Sequence, residues 1–236
     1  MIQILRTIIL KVLLLLVFLI STTSLASNDF TEFFNPSGWD KVYTKKGVVV
    51  YSQKAKDSKI VGFKAEAILE APLENILSLL RDVEGTIRWA PNMTEKRTIK
   101  EFNDLKATTY SNNDLPWPAA DRDMILMNEL RLDEKNKFLV VDTYSVEDKN
   151  YPPVKDIVRA EMSYGTLEFR RHGEFSSVRM TLLVDPKGSL PIWLVNMLQK
   201  KLPYQFLESL EAEAKKTAIP LKPGIKALLK KLDNLK

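Results

Sequence analysis

The chain has 236 residues, 45% of them hydrophobic, with a formal net charge of +5, one histidine and no cysteine. That apolar share is enough for a full core. The missing cysteines exclude a disulfide framework and, with a single histidine, a zinc site of ordinary ligand type, and the mild charge argues against a nucleic-acid partner.

In chain order the first element is a leader. Met1–Arg6 carries one positive charge, Val12–Ile20 is a run of nine apolar residues, and Ser24-Leu25-Ala26 puts small residues at the −3 and −1 positions of a cleavage site. This pattern predicts a secretory signal peptide over 1–26. The run falls short of the roughly 20 residues that span a bilayer. An uncleaved anchor with Lys11 reaching to the interface is the alternative. With no cysteine, a lipid-modified bacterial leader is excluded. Arg6 and Lys11 are the leader's only charges, so its removal takes the net charge from +5 to +3. What remains predicts one domain over 27–219, exported, with a bacterial periplasm as the best-fitting compartment.

Asn28–Asp40 reads as a short helix with Phe30, Phe33, Phe34 and Trp39 on its apolar side. Gly47–Ser52 and Ile60–Leu69 read as a hairpin. In its second strand Phe63, Ala65, Ala67 and Leu69 alternate with Lys64, Glu66 and Ile68, which buries one face. Pro72 opens a helix whose stripe is Leu73, Ile76, Leu77, Leu80 and Val83, and Asp82–Pro91 closes it. Strands are then predicted at Lys96–Phe102, Lys106–Asn112, Arg122–Leu132, Lys137–Val146, Asp156–Phe169 and Ser176–Asp185. A long helix, Pro191–Thr217, follows with a kink expected before Pro203. A basic amphipathic tail, 220–236, closes the chain. Its Leu228, Leu229, Leu232 and Leu235 suit either a membrane surface or packing on the domain. The order is that of an α+β fold, a curved antiparallel sheet around one long C-terminal helix.

The stretch Leu115–Leu130 is the most informative. Pro116 and Pro118 bracket Trp117 and exclude a central strand there. The strand that follows shows Arg122, Met124, Leu126, Asn128 and Leu130 on one face and Asp123, Ile125, Met127, Glu129 and Arg131 on the other. The first face is apolar apart from Arg122 and one amide. Arg122, flanked by Asp121 and Asp123, is expected in a charge-assisted fork, either for a ligand headgroup or to fix the loop.

The segment "LPWPAADRDM" resembles the START domain, the steroidogenic-acute-regulatory-related lipid-transfer module. So do "RDVEGTIRWAPN", "VEDKNYPPVKDIVRAEMSYGTLEF" and "DPKGSLPIWLVNMLQKKLPYQFLESL", in the same order across roughly 28–217. The resemblance implies a helix-grip fold enclosing a cavity for one hydrophobic molecule. Asn128 stands where family members commonly place a charge, which favours a neutral or weakly polar ligand group.

On this reading Met124, Leu126, Asn128, Tyr110, Asn112 and Tyr144 are candidate wall residues. Arg159, Met180, Trp193, Met197, Leu198 and Phe206 are further wall candidates. Trp117, Asp121, Arg122, Asp123 and Pro203 are candidates for the gate and its support. The expected partner is a lipid or other hydrophobic small molecule, with an anionic membrane surface contacted through 220–236. No cofactor is expected, and a monomer is favoured. An enzyme on the same architecture, such as a polyketide-type cyclase, needs an acid–base pair, for which Asp142, Glu161 and His172 are the candidates. An envelope interaction module with a solid interior is the remaining alternative.

Overall fold

The computed structural model describes residues 33–58, 60–216 and 219–235, so the predicted leader lies outside the described residues. Ten strands form one antiparallel sheet, except for one short parallel pairing. They are β1 (Asp40–Lys45), β2 (Val48–Lys54), β3 (Val61–Leu69), β4 (Met93–Asn103), β5 (Lys106–Asn113), β6 (Arg122–Asp133), β7 (Phe138–Ser145), β8 (Val158–Arg159), β9 (Glu161–His172) and β10 (Phe175–Asp185). The order across the sheet is β1-β2-β3-β10-β9-β7-β6-β5-β4, with β8 beside β6. The helices are α1 (Leu73–Arg81), α2 (Ile192–Ala214) and α3 (Pro223–Asn234), with a 3₁₀ turn at Glu84–Arg88.

The alternation in β3 is borne out. Ala65, Ala67 and Leu69 are buried, while Ile68 on the other face is 69% exposed. The predicted strand Asp156–Phe169 is two elements. β8 leaves the antiparallel scheme to run parallel to β6, pairing Arg122 with Val158 and Asp123 with Arg159, before β9 begins. The helix read over 28–40 is also corrected within the described residues. No helix continues past Phe33, and β1 starts at Asp40. Its aromatic residues pack all the same: Phe34 is fully buried, with its ring 4.8 Å from that of Trp39 and 6.1 Å from that of Tyr164. Gly62 permits this, since a Cβ there would lie 2.3 Å from the Phe34 ring.

The main core lies between α2 and one face of the sheet. Leu207, Leu210 and Ala214 of α2 are fully buried against Leu139, Phe169, Val178, Ala65 and Leu69, with Ile76 and Leu79 of α1 closing the side. Pro203 sits inside α2 without ending it, although its ring removes one intrahelical donor. The tail does not stand free. Ile225, Leu229 and Leu232 of α3 are buried in the same core, and the Gly224 amide donates to Asp104 at 2.7 Å. Lys222 and Arg81 both pair with Glu101, at 2.6 and 3.0 Å. Of the two readings of this stripe, packing on the domain is the one these contacts match, and it supports a helix too short to persist alone.

Candidate functional site

The registers from β5 to β10 and β3, regular except between Leu183 and Val184, sort the inner face of the sheet into rows. Leu132, Leu139, Phe169, Val178 and Ala67 make one row, and Leu130, Val141, Leu167, Met180 and Ala65 the next. These rows carry the packed core under the C-terminal half of α2. Farther along the strands the row is Ala107, Asn128, Thr143, Gly165, Leu182 and Phe63. Beyond it come Thr98, Thr109, Leu126 and Ser145, then Lys96, Ser111 and Met124. Along β5–β7 the inner side chains become smaller and more polar in this direction, with Ala107, Asn128, Thr143, Thr109, Ser145 and Ser111 among them. The main contacts of α2 are with β1, β2, β3 and α1. Met124, Asn128, Thr143 and Leu182 on the wall, with Met197, Leu198 and Phe206 on α2, all keep some accessible surface.

Three of the residues read as wall, Met124, Leu126 and Asn128, share this inner face. The Asn128 amide is engaged by the wall itself. It donates to Thr109 Oγ1 and to the Leu126 carbonyl, both at 3.1 Å, and accepts from Thr143 Oγ1 at 3.2 Å. Met180 is also inward, but in the packed core. Met197, Leu198 and Phe206 lie on α2, with the Phe206 ring 5.4 Å from that of Trp89.

Tyr110, Asn112, Tyr144 and Arg159 fall on the opposite face, because each pairs directly across from an outward residue: Tyr110 with Ile125, Asn112 with Asp123 and Tyr144 with Met127. Tyr110 stacks on Tyr151 with centroids 6.2 Å apart, and Arg97 lies over both rings. Asn112 donates to Thr94 Oγ1 at 3.1 Å. Trp193 is 51% exposed and does not face the wall.

The acid–base candidates are scattered. His172 is exposed in the β9–β10 turn, with its ring nitrogen 3.1 Å from Ser177 Oγ. Asp142 pairs with Arg131, and Glu161 with Lys187. A depression of about 360 Å³ on the outer face, between Glu66, Ile68, Arg170 and Arg179, is a furrow among ion-paired surface groups.

At the end of the sheet beyond Met124, the Asp-Arg-Asp triplet organises the loops. Neighbouring strand residues point to opposite faces, so the expected fork between Arg122 and its flanking carboxylates does not form. Arg122, 5% exposed, donates instead to the carbonyls of Pro186 at 2.9 Å, Lys187 at 3.0 Å and Ala120. It thus ties the loop before β6 to the turn before α2. Burial lowers its pKa, and Asp121 partly opposes that. On the other face Asp123, fully buried, receives a two-point contact from Arg159, at 2.7 and 2.9 Å. Exposed apolar groups lie on the loops and helix start around this clamp: Trp117 is 89%, Val154 47% and Trp193 51% exposed.

Sequence reasoning missed Lys96. It stands inward beside Ser111, on the register shared with Tyr110 and Arg97 on the outer side. The side chain keeps some accessible surface, yet the surrounding protein desolvates it and pushes its pKa down to about 8 from 10.5, with no carboxylate opposing. Below about pH 8 the folded state carries a desolvated ammonium. Between there and 10.5 the unfolded chain binds more protons, so stability rises with pH, and above 10.5 the penalty is gone. Lys96→Met is therefore expected to raise stability at pH 7 by about 1–3 kcal/mol. The gain should shrink toward zero by pH 10.5, measured by urea unfolding of both proteins. A variant less stable than the parent at pH 7 contradicts this account.

The comparisons agree with this architecture. The family model described as START domain matches residues 35–215. START domain-containing protein 10 of Mus musculus is 32% identical over 163 residues, a match covering 67% of this chain and 55% of that protein. The chain thus spans about half the length of that relative. The phosphatidylcholine transfer protein of Mus musculus is 23% identical over 176 residues, covering 73% of this chain and 81% of that protein. The crystal structure of human STARD10 superposes with a TM-score of 0.68 at 26% identity, covering 84% of this chain and 78% of that one. With a match running from ahead of β1 to the end of α2, the chain belongs to the START domain family.

Proposed function

We propose that this protein binds one lipid or similarly apolar molecule between the inner face of β4–β7 and α2, and carries it through water between membranes. One observation supports the reading above the others: the wall opposite α2 is built from small side chains and half-accessible apolar groups where a solid core needs large buried ones. Burial of a lipid tail there supplies the affinity, at about 25 cal/mol per Å² of apolar surface. The relatives named for lipid transfer favour the same reading. The leader favours export, and the compartment proposed is a periplasm. The wall is supplied by one chain, so a monomer suffices.

Entry requires the loops to part. We place the gate at the β5–β6 loop and the turn before α2, which Arg122 joins. Trp117, Val154 and Trp193 then supply the membrane contact, since exposed tryptophan favours the interfacial region of a bilayer. The test is transfer of a fluorescent lipid from donor to acceptor vesicles. Transfer should rise in proportion to protein concentration. Trp117→Ser with Trp193→Ser should slow it severalfold while leaving equilibrium binding intact. Transfer no faster than the protein-free background sinks the proposal.

A further inference from the structure

We infer that Lys96 anchors the polar end of the guest, and that the guest is an amphiphile carrying an oxyanion, a carboxylate or a phosphate, rather than a neutral lipid. The inference rests on the carrier reading above and narrows its ligand class. Lys96 sits on the inner face beside Ser111 and Met124, on a strand whose outer face carries the ion pair of Glu95 with Arg97 at 2.8 Å.

The charged groups around it are already engaged. Glu84, on the 3₁₀ turn packed against β4, accepts the Thr98 backbone N–H at 2.9 Å. Asp82 pairs with Arg88 at 2.7 Å. Arg122 spends its donors on three carbonyls. The inner positions of β5 and β6 near Lys96 are Thr109, Ser111, Met124 and Leu126, which carry no charge. An ammonium held there is largely desolvated and has no carboxylate opposing it, a state that is costly unless something supplies the anion. A neutral guest would seal the lysine in with no partner. An anionic guest pairs with it through a charge-assisted hydrogen bond, while its tail lies along the apolar rows toward α2. Asn128 does not compete for the headgroup, because Thr109, Thr143 and the Leu126 carbonyl already occupy its amide.

The test uses purified protein stripped of bound lipid and a neutral fluorescent lipid reporter. Displacement is measured with two matched pairs, oleate against oleyl alcohol and dioleoyl phosphatidylglycerol against dioleoylglycerol, and with inorganic phosphate alone. The parent should bind each anionic member at least tenfold tighter than its neutral match. Lys96→Met should erase that preference and Lys96→Arg should retain most of it. Without any variant, the preference for phosphatidylglycerol, whose charge is constant, should fall as pH rises past about 8. Equal affinity for both members of each pair, unchanged by Lys96→Met, overturns the anchor and leaves the carrier reading standing. Displacement by inorganic phosphate alone overturns the lipid assignment in favour of a free-anion site. Failure of the parent to bind reporter and lipids alike overturns the carrier reading and this inference with it.

Discussion

Arg159→Met should lower stability by about 3–5 kcal/mol, because it strands a buried carboxylate. The Asp123 side chain is 1% exposed, and Arg159 is its two-point counter-ion. Asp123→Asn should cost less. The Arg159 side chain is 25% exposed and also reaches the Tyr151 carbonyl at 3.4 Å, so water and that carbonyl take up part of the loss. The double variant should then cost clearly less than the two single losses added together, since the partners act as a unit. Thermal unfolding of a domain this size should register Arg159→Met as a drop of about 10 °C or more. If Arg159→Met falls within about 1 kcal/mol of the parent, water reaches Asp123 and the pair is ornamental. The pair also ties β8 to β6 alongside the backbone bond from the Ala160 amide to the Asp123 carbonyl at 3.0 Å, so its loss should loosen the loop end.

Arg122→Met should act on the gate as well as on stability. The parent guanidinium satisfies the carbonyls of Ala120, Pro186 and Lys187 at once. Methionine leaves all three without that donor, at a cost of about 2–4 kcal/mol. Arg122→Lys should rescue little, because an ammonium cannot reproduce a planar fork. The turn at Pro186–Gly188 leads directly into α2, so its release should speed amide exchange over 115–121 and 186–198. It should also shorten the residence of a bound lipid by about tenfold, the factor that goes with 1.4 kcal/mol of lost closure. Unchanged exchange in these two segments, with stability alone reduced, contradicts a gating role for the clamp.

Much of this architecture is legible in the chain because burial writes a period. β3 alternates from Ala65 to Leu69; in β6 the chemistry alternates although the burial does not, since Asp123 and Ile125 on the outer side are buried as well. α1 carries an unmistakable stripe. β1 leaves no such trace. It is an edge strand with Lys41, Thr44 and Lys45 exposed and a register shift between Lys41 and Tyr43, so neither face is consistently apolar. The split between β8 and β9 depends on a parallel partner that no local pattern encodes. The site divides along the same line. The inward placement of Met124, Leu126 and Asn128 was readable because an apolar face was visible on their own strand. Tyr110, Asn112 and Tyr144 were misplaced because one residue of register decides which face a side chain takes; β5 is largely polar on both sides, and β7 is apolar on both faces at its start before turning polar, so neither marks its inner face. Lys96 was hidden among the charges of Glu95, Lys96, Arg97 and Lys100. There a bulge between Thr98 and Lys100 breaks the alternation that would have marked one lysine as inward.

The most direct test of the central claim is native mass spectrometry of the protein purified from a lipid-containing host, then stripped and re-exposed to membrane extract. The account predicts one adduct of lipid mass per chain, lost on organic extraction and regained on re-exposure. A bare chain mass at every stage and with every extract contradicts it.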